Sequence, residues 1–369
     1  MILIITLAGA LLLYILQGII YEKYWDKNLN VSVSFKNNNC VEGEHNTLVE
    51  VITNNKRLPL PVLHVKINTP RTFLFKNESN TSVTDFYYRD DMFSIMGHQV
   101  ITRTLDFECS KRGCYYMKDT SLVSNDLFLQ KTFNKSIQNS GILHVYPAKV
   151  DISRFSIPFN TITGNFATQK TLVEDPFEFR GIRQYQPYDS IHSINWKSSA
   201  RTGTLQVNTF FMTSSQDVTI LLNLDTHIYT KNNKLIESAI RIASSLAENF
   251  IRSNIPVCME TNGIDIFTNG RIFQPSGQGY AHMSAIDNAL SRIDTDKENA
   301  DFMNVMENIF KSANENSYYI IISNSHHEDL TDYYLSLKNR GLSCYFIVPE
   351  YASFEVDENI PDMIKWELE

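Results

Sequence analysis

Residues 178–203 hold the densest gathering of chemically capable side chains in the sequence. Arg180, Arg183 and Arg201 offer planar guanidinium forks, and Glu178 and Asp189 are carboxylates able to receive them. Tyr185 and Trp196 add ring faces with polar tips. Arginine–carboxylate pairs form two parallel hydrogen bonds, and guanidinium groups also stack on rings. The run follows neither a helical nor a strand period, so it is expected as an ordered loop pinned by such contacts. Two readings stay open. In one it is an interdomain latch, with the Trp196 ring buried and Arg183 and Arg201 clamped on carboxylates. In the other, Arg183, Lys197 and Arg201 face a partner protein or an anionic ligand. The residues assigned to these roles are Glu178, Arg183, Tyr185, Asp189, Trp196, Lys197 and Arg201.

Two other stretches carry candidate chemistry. Asp225 ends an apolar run, and ligands of α/β sheets gather beyond the carboxyl ends of strands. Ser323-Asn324-Ser325-His326-His327-Glu328-Asp329 follows a second apolar run and faces the same way. Adjacent histidines rarely converge on one ion and the His-Glu-x-x-His spacing is absent, so a solvated loop with a helix cap is expected there. Cys109-x4-Cys114 has no second ligand pair to complete a zinc site. Five cysteines, an odd number, point to thiols on a reducing side rather than a disulfide framework. There is no phosphate-binding glycine loop, nucleophile elbow, dinucleotide fingerprint or Cys-x-x-Cys pair, and no enzyme activity is expected.

The elements that must position these groups follow from patterning over 369 residues. Residues 1–21 carry no charged side chain, and at about 1.5 Å per residue they reach roughly 30 Å, one bilayer core. Tyr21, Tyr24 and Trp25 suit an interfacial belt. A cleavable signal would need a basic start and a small-residue cleavage site, and neither is seen. An uncleaved anchor contacting the lipid bilayer through residues 1–21 is therefore expected. Lys23 and Lys27 follow the span while no basic residue precedes it, which places the bulk of the protein in the cytoplasm. A net charge of −8 argues against a nucleic-acid partner.

Residues 28–146 alternate in short Val-, Ile-, Tyr-, Phe- and Thr-rich runs broken by turn residues, the pattern of an antiparallel, Ig-like β-sandwich. Pro59 and Pro61 suit a strand edge. Residues 147–216 are expected as a linker with little regular structure around the polar–aromatic block. Within 217–350, strands over 218–224, 256–261, 264–269, 318–323 and 343–348 alternate with helices over 234–252, 283–293, 302–313 and 329–340, which predicts a doubly wound α/β domain. Gly341 stands where a helix C-cap belongs. Residues 351–369 are expected as a C-terminal tail.

The block from Glu178 to Gly203 resembles, nearly position for position, the signature of the bacterial "domain of unknown function 58" family. Thr53-Asn54-Asn55 with Leu58-Pro59-Leu60-Pro61, Arg112-Gly113-Cys114-Tyr115 and Asn125-Asp126-Leu127-Phe128 are similar to further pieces of it. The resemblance implies that the α/β part is a von Willebrand factor A-like domain. It also implies a working partnership with MoxR-type AAA+ ATPases that mature or remodel other proteins, often of the cell envelope. Gln184, Tyr188, His192 and Asn195 depart from the pattern, standing for Glu, Gly, Arg and Asp. Von Willebrand A domains hold a hard divalent ion on an Asp-x-Ser-x-Ser loop. Asp225-Thr226-His227-Ile228-Tyr229 keeps the carboxylate and loses both serines, so Asp225 is a degenerate metal candidate and no cofactor, Mg2+ included, is expected.

The resulting expectation is a non-enzymatic, membrane-anchored adaptor working with a MoxR-type AAA+ ATPase and with other membrane or envelope proteins. An extracytoplasmic envelope-assembly or adhesion module, and a metal-dependent hydrolase using Asp225, are the alternatives.

Overall fold

The structure, a computed structural model, describes residues 2–75, 81–83, 86–117, 119–139, 141–169, 174–187, 189–212, 217–225, 233–313, 317–324, 328–351 and 361–368. The chain divides into two compact units, residues 1–148 with 290–292, and residues 149–289 with 293–369.

The first unit opens with α1 (Ile2–Tyr24), charge-free until Glu22. By length and composition this helix could cross a membrane. Twelve strands follow: β1 (Leu29–Phe35), β2 (Asn39–Val41), β3 (His45–Asn54), β4 (Leu60–Pro70), β5 (Phe73–Phe75), β6 (Thr81–Val83), β7 (Phe86–Ile95), β8 (Gln99–Cys109), β9 (Gly113–Tyr116), β10 (Thr120–Asn125), β11 (Thr132–Ile137) and β12 (Ile142–Tyr146). They form sheets ordered β1-β3-β8-β5, β11-β10-β4-β7-β6 and β2-β12-β9.

Alternation drives this arrangement. On β3, Asn46, Leu48, Glu50, Ile52 and Asn54 all turn inward while their neighbours face out. Leu48, Ile52, Phe73 and Phe107 from the first sheet pool with Leu60, Leu63, Val65, Ile67 and Leu122 from the second in one core. Phe73 and Phe107 pack at 4.5 Å between ring centroids. This is a β-sandwich, antiparallel except where β2 and β12 run parallel. Pro61 lies on β4, an interior strand and not an edge. It is accommodated by the register shift between Leu60 and Leu63, where no ladder bond is lost.

Two features of this interior are chemical. Arg89 Nε lies 2.6 Å from Asp91 Oδ2 and Arg103 Nη1 lies 2.7 Å from Asp91 Oδ1. Glu50, paired in register with Arg103, is 0% exposed and neither of its carboxylate oxygens has a hydrogen-bond partner among the described residues. Separately, the buried thiols of Cys40 and Cys109 approach to 3.1 Å between sulfurs.

The second unit begins with α2 (Ser156–Gln169), β13 (Glu174–Gln184), α3 (Trp196–Thr202) and β14 (Gln206–Met212). Residues 147–216 are therefore not an unstructured linker. β13 and β14 pair across the intervening α3, a long-range hairpin that local periodicity does not register. The unit continues through β15 (Val218–Asn223), α4 (Asn233–Arg252), β16 (Val257–Ile264), β17 (Arg271–Gly277), α5 (Gly279–Ser291), α6 (Phe302–Ser312), β18 (Tyr318–Ser323), α7 (Glu328–Asn339), β19 (Ser343–Tyr351) and β20 (Met363–Leu368). Gly341, at φ 82°, closes α7 as a left-handed cap.

The six strands β15 to β20 form one sheet in the order β17-β16-β15-β18-β19-β20. All neighbours are parallel except β16 and β17. Numbered within this sheet the order is 3-2-1-4-5-6, a doubly wound order. Val305, Tyr334 and Leu337 of α6 and α7 share one core with Leu221, Ile321 and Phe346 of the sheet. Helix α4 is buried along most of its length, and its Phe250 ring meets Phe155 and Phe159 at 6.3 and 5.1 Å. Residues 264–269, expected as a strand, form a turn: Asp265 Oδ1 accepts from the N–H groups of Phe267 and Thr268, and Asn269 takes a left-handed φ of 53°. The expected tail supplies β20, whose Met363 and Ile364 register against Phe346 and Ile347.

Candidate functional site

The polar–aromatic block folds as a small module of β13, β14 and α3. The hairpin sets Arg183 opposite Val207 and Gln184 opposite Gln206. Asn195 caps α3 by accepting from Ser198 N at 2.9 Å, and its amide donates to Asn208 Oδ1 at 2.8 Å. A carboxylate at 195 could make the first bond but not the second, so the asparagine present here serves the module's own stability. Ser199 Oγ accepts from Gln206 N at 2.8 Å, and Gly203, at φ 71°, ends the helix. Ile194 and Val207 are buried and bridge to one another.

Arg183 grips Asp189 with both terminal nitrogens at 2.6 Å, and Gln186 N–H adds a third bond to that carboxylate. The Arg183 hydrogen bond, with the help of Gln186 N–H, holds the Asp189 carboxyl below its usual range. This is the expected fork, closed within the loop itself. Tyr185 is half-buried and its backbone N–H donates to Leu205 O. Lys197 and Arg201 are exposed. Glu178 lies on β13, and its side chain falls outside the described residues.

Trp196 overturns the latch reading in its simple form: the ring is 65% exposed rather than buried. As the first residue of α3 it sits directly after the Asn195 cap, and it is exposed where Ile194 and Val207 are buried. Phe179, Ile182, Ile191 and Leu205 are exposed on the same module. Apolar rings and aliphatic chains beside exposed cations, on a scaffold tied by its own hydrogen bonds, suit recognition of another protein.

A second set of groups meets at the carboxyl edge of the doubly wound sheet, where β15 and β18 lead in opposite directions and ligands of such sheets bind. Asn223 Nδ2 donates to Ser323 Oγ at 3.0 Å, and Asn223 Oδ1 accepts from Asn262 Nδ2 at 3.1 Å and Asp225 N at 3.0 Å. Asn262 Oδ1 accepts from Leu224 N at 2.9 Å. Asn299 Nδ2 reaches Leu224 O at 3.0 Å and Asp225 Oδ1 at 3.4 Å. Asn324, 9% exposed, has neither its amide oxygen nor its amide nitrogen hydrogen-bonded among the described residues.

These groups do not fit a hard divalent ion. Such ions take several carboxylate and hydroxyl oxygens, whereas the groups around Asp225 are amides whose N–H donors point inward. No group of three or more His, Cys, Asp or Glu suited to a metal occurs among the described residues. Residues 226–229 and His326 and His327 lie outside the described residues, and Asp329 is exposed. Sequence reasoning placed Asp225 and the 323–329 stretch at this edge but missed Asn223, Asn262 and Asn299. The available signal was a polar residue closing or interrupting an otherwise buried strand, as in Asn223 and Asn262.

Residues 181–342 match the family model described as "Protein of unknown function DUF58", from within β13 to just beyond α7, in support of the resemblance drawn from the signature block. No curated protein matches the chain. Similar solved structures include the CARDB domain of PF1109 from Pyrococcus furiosus, in complex with di-metal ions, at 10% identity and TM-score 0.19, covering 31% of this chain and 90% of that one. A non-cellulosomal cohesin from Archaeoglobus fulgidus stands at 9% identity and TM-score 0.21, covering 35% and 97%. The seventh ScaB type I cohesin from Pseudobacteroides cellulosolvens stands at 15% and 0.21, covering 34% and 96%. Likeness at these scores carries no weight for function.

Proposed function

We propose that this chain is a non-enzymatic, single-pass membrane adaptor whose α/β unit is a von Willebrand factor A-like docking domain working with a MoxR-type AAA+ ATPase. The observation that carries the reading is the exposure of the β13–α3–β14 module, where Trp196 stands in solvent and Lys197 and Arg201 of the same helix are exposed. A solvated tryptophan next to cations is a typical anchor for a protein partner. The sheet order 3-2-1-4-5-6 with an antiparallel third strand supports the A-like assignment. The family match over residues 181–342 supports the family resemblance, and the partnership is what that resemblance implies. Asp225, hemmed by amides, acts without a metal in this reading. Helix α1 is the anchor, with Lys23 and Lys27 on the cytoplasmic side.

The test is affinity capture of the tagged full-length protein from its native membranes, with Trp196→Ala plus Arg201→Ala alongside. Recovery of an AAA+ ATPase by the unaltered protein and its loss in the double variant is expected. Absence of any such ATPase from both would refute the adaptor reading.

One observation favours the opposite orientation, with the sandwich outside the cytoplasm as an envelope-assembly module. The Cys40 and Cys109 sulfurs lie 3.1 Å apart, close enough to join if an extracytoplasmic disulfide donor takes up their two protons and two electrons. Alkylation of the rapidly denatured protein separates the two: free thiols at both positions accord with the cytoplasm, and protection that reductant removes accords with the envelope.

A further inference from the structure

Asn125-Asp126-Leu127-Phe128 belongs to the family-like pieces of the sandwich, and the adaptor reading leaves it without a role. The structure places it beside α1, within the first unit. Asp126 ties the β10–β11 turn, its Oδ1 accepting from Gln130 N at 2.7 Å and Lys131 N at 3.1 Å. Its Oδ2 accepts from Gln17 Nε2 of α1 at 2.9 Å. Thus held, the turn presents Leu127, Phe128 and Leu129 outward, Phe128 being 53% exposed and the leucines equally open. Leu129 takes φ 58°, a left-handed conformation that is unfavourable for a side chain of this type and that glycine or asparagine would adopt more readily. An apolar residue stands at the tip despite the backbone's preference.

The hairpin runs along α1 in a fixed order. Phe128 meets Tyr14 at 5.7 Å between centroids, Lys131 pairs with Glu22 at 2.9 Å, Phe133 stacks on Trp25 at 5.8 Å and Lys135 pairs with Asp26 at 3.0 Å. Tyr21 OH donates to Pro59 O at 2.9 Å, fixing the same end of the helix to β4's approach. The turn therefore points back along α1, away from the charged residues.

Depth follows from the helix. Glu22 and Lys23 are the first charges on α1 and set the headgroup level. Tyr14 lies eight residues further in, about 12 Å at 1.5 Å per residue, and Phe128 lies beside it. Setting the water boundary at Tyr14 instead would leave exposed Ile15, Leu16, Ile19 and Ile20 in water along with the turn. Apolar side chains of two separate elements thus share one level, and roughly 5–10 Å is the usual reach of interfacial apolar groups into the acyl boundary.

We propose that Leu127, Phe128 and Leu129 form a second membrane contact, a turn that inserts among the acyl chains of the leaflet next to the soluble part and sets the sandwich's height and tilt on the bilayer. Gln17 Nε2 donates to Asp126 below the headgroups, and the Lys131–Glu22 and Lys135–Asp26 pairs sit at the water boundary. The proposal rests on α1 spanning the bilayer.

The full-length protein is reconstituted into phosphatidylcholine vesicles with or without bromine at mid-acyl-chain positions, as wild type, Phe128→Trp and Leu11→Trp. The expected result is that both added tryptophans lose most of their extra emission in brominated vesicles. Quenching of Leu11→Trp alone overturns the inserting turn and leaves the anchor intact. Quenching of neither overturns the spanning helix and the turn together. If Phe128→Trp does not fold, Leu127→Trp takes its place with the same outcomes.

Discussion

The sandwich interior and the carboxyl edge of the α/β sheet both bury polar groups, with opposite chemistry. In the sandwich, full charges meet: Asp91 is 0% exposed and pairs with buried Arg89 and half-buried Arg103, with Glu50 beside them. At the sheet edge, neutral amides and a hydroxyl meet, and the Asn324 amide has no hydrogen bond among the described residues. Buried charges must be compensated where they stand, so Asp91 is closed by its two arginines, while the Glu50 carboxyl beside them has no hydrogen-bond partner among the described residues. Amides bear a missing partner at far lower cost than charges, so the edge tolerates a buried Asn324 amide with no hydrogen bond among the described residues.

Breaking the charged cluster has the largest expected effect. Asp91→Ala strands Arg89 in the core and lowers the stability of the sandwich by about 3–5 kcal/mol, read as faster hydrogen exchange in β3 and β8. Unchanged exchange would show that the charges are solvated, not paired. Glu50 comes next. Burial, aided by the Asp91 charge and opposed by Arg103 and Arg89, pushes its carboxyl from 4.5 up to about 7. The folded state then holds its proton more tightly than the unfolded chain, so the stabilising contribution is complete below pH 4.5 and is lost as pH rises through 7. Glu50→Gln is therefore expected to match wild type at pH 4 and to exceed it by up to about 3 kcal/mol at pH 8, in paired denaturant titrations. A gap that does not change with pH counts against a buried, ionisable Glu50.

The amide edge sharpens the contrast from the other side. Asn262→Ala leaves Leu224 N–H without its acceptor, and a loss of about 1–3 kcal/mol is expected by thermal unfolding. Asn324→Ala removes no hydrogen bond among the described residues and is expected to change stability by less than about 0.5 kcal/mol in the same thermal unfolding measurement. Comparable destabilisation by both would mean that the edge is as closed as the sandwich cluster.

Much of the sandwich was legible because its strands alternate strictly, as β3 does over Asn46 to Asn54. Strand β11 was not, since four of its six residues are exposed and Phe133 and Ile137, its two apolar residues, do not alternate. Of the candidate site, the Arg183–Asp189 fork could be read because its partners are six residues apart. The exposure of Trp196 could not, because a tryptophan's composition argues for burial and only the Asn195 cap and the hairpin register decide which way it turns. Asn299 and Asp225 come together across 74 positions, a closeness that no local spacing announces.

By itself, then, the sequence determined what depends on neighbours along the chain: an apolar helix over its first residues, alternating strands, and a switch to strand–helix alternation near Asp217. Local side-chain patterns dictate which face of each element must leave water. Strand order, the pairing of β13 with β14, and the meeting of Asn223, Asn262 and Ser323 were decided only in the tertiary structure. Hydrogen bonds between residues far apart in sequence require chain closure that many topologies satisfy equally in local terms. Only the packing of both sheet faces selects the one in which these polar groups find each other.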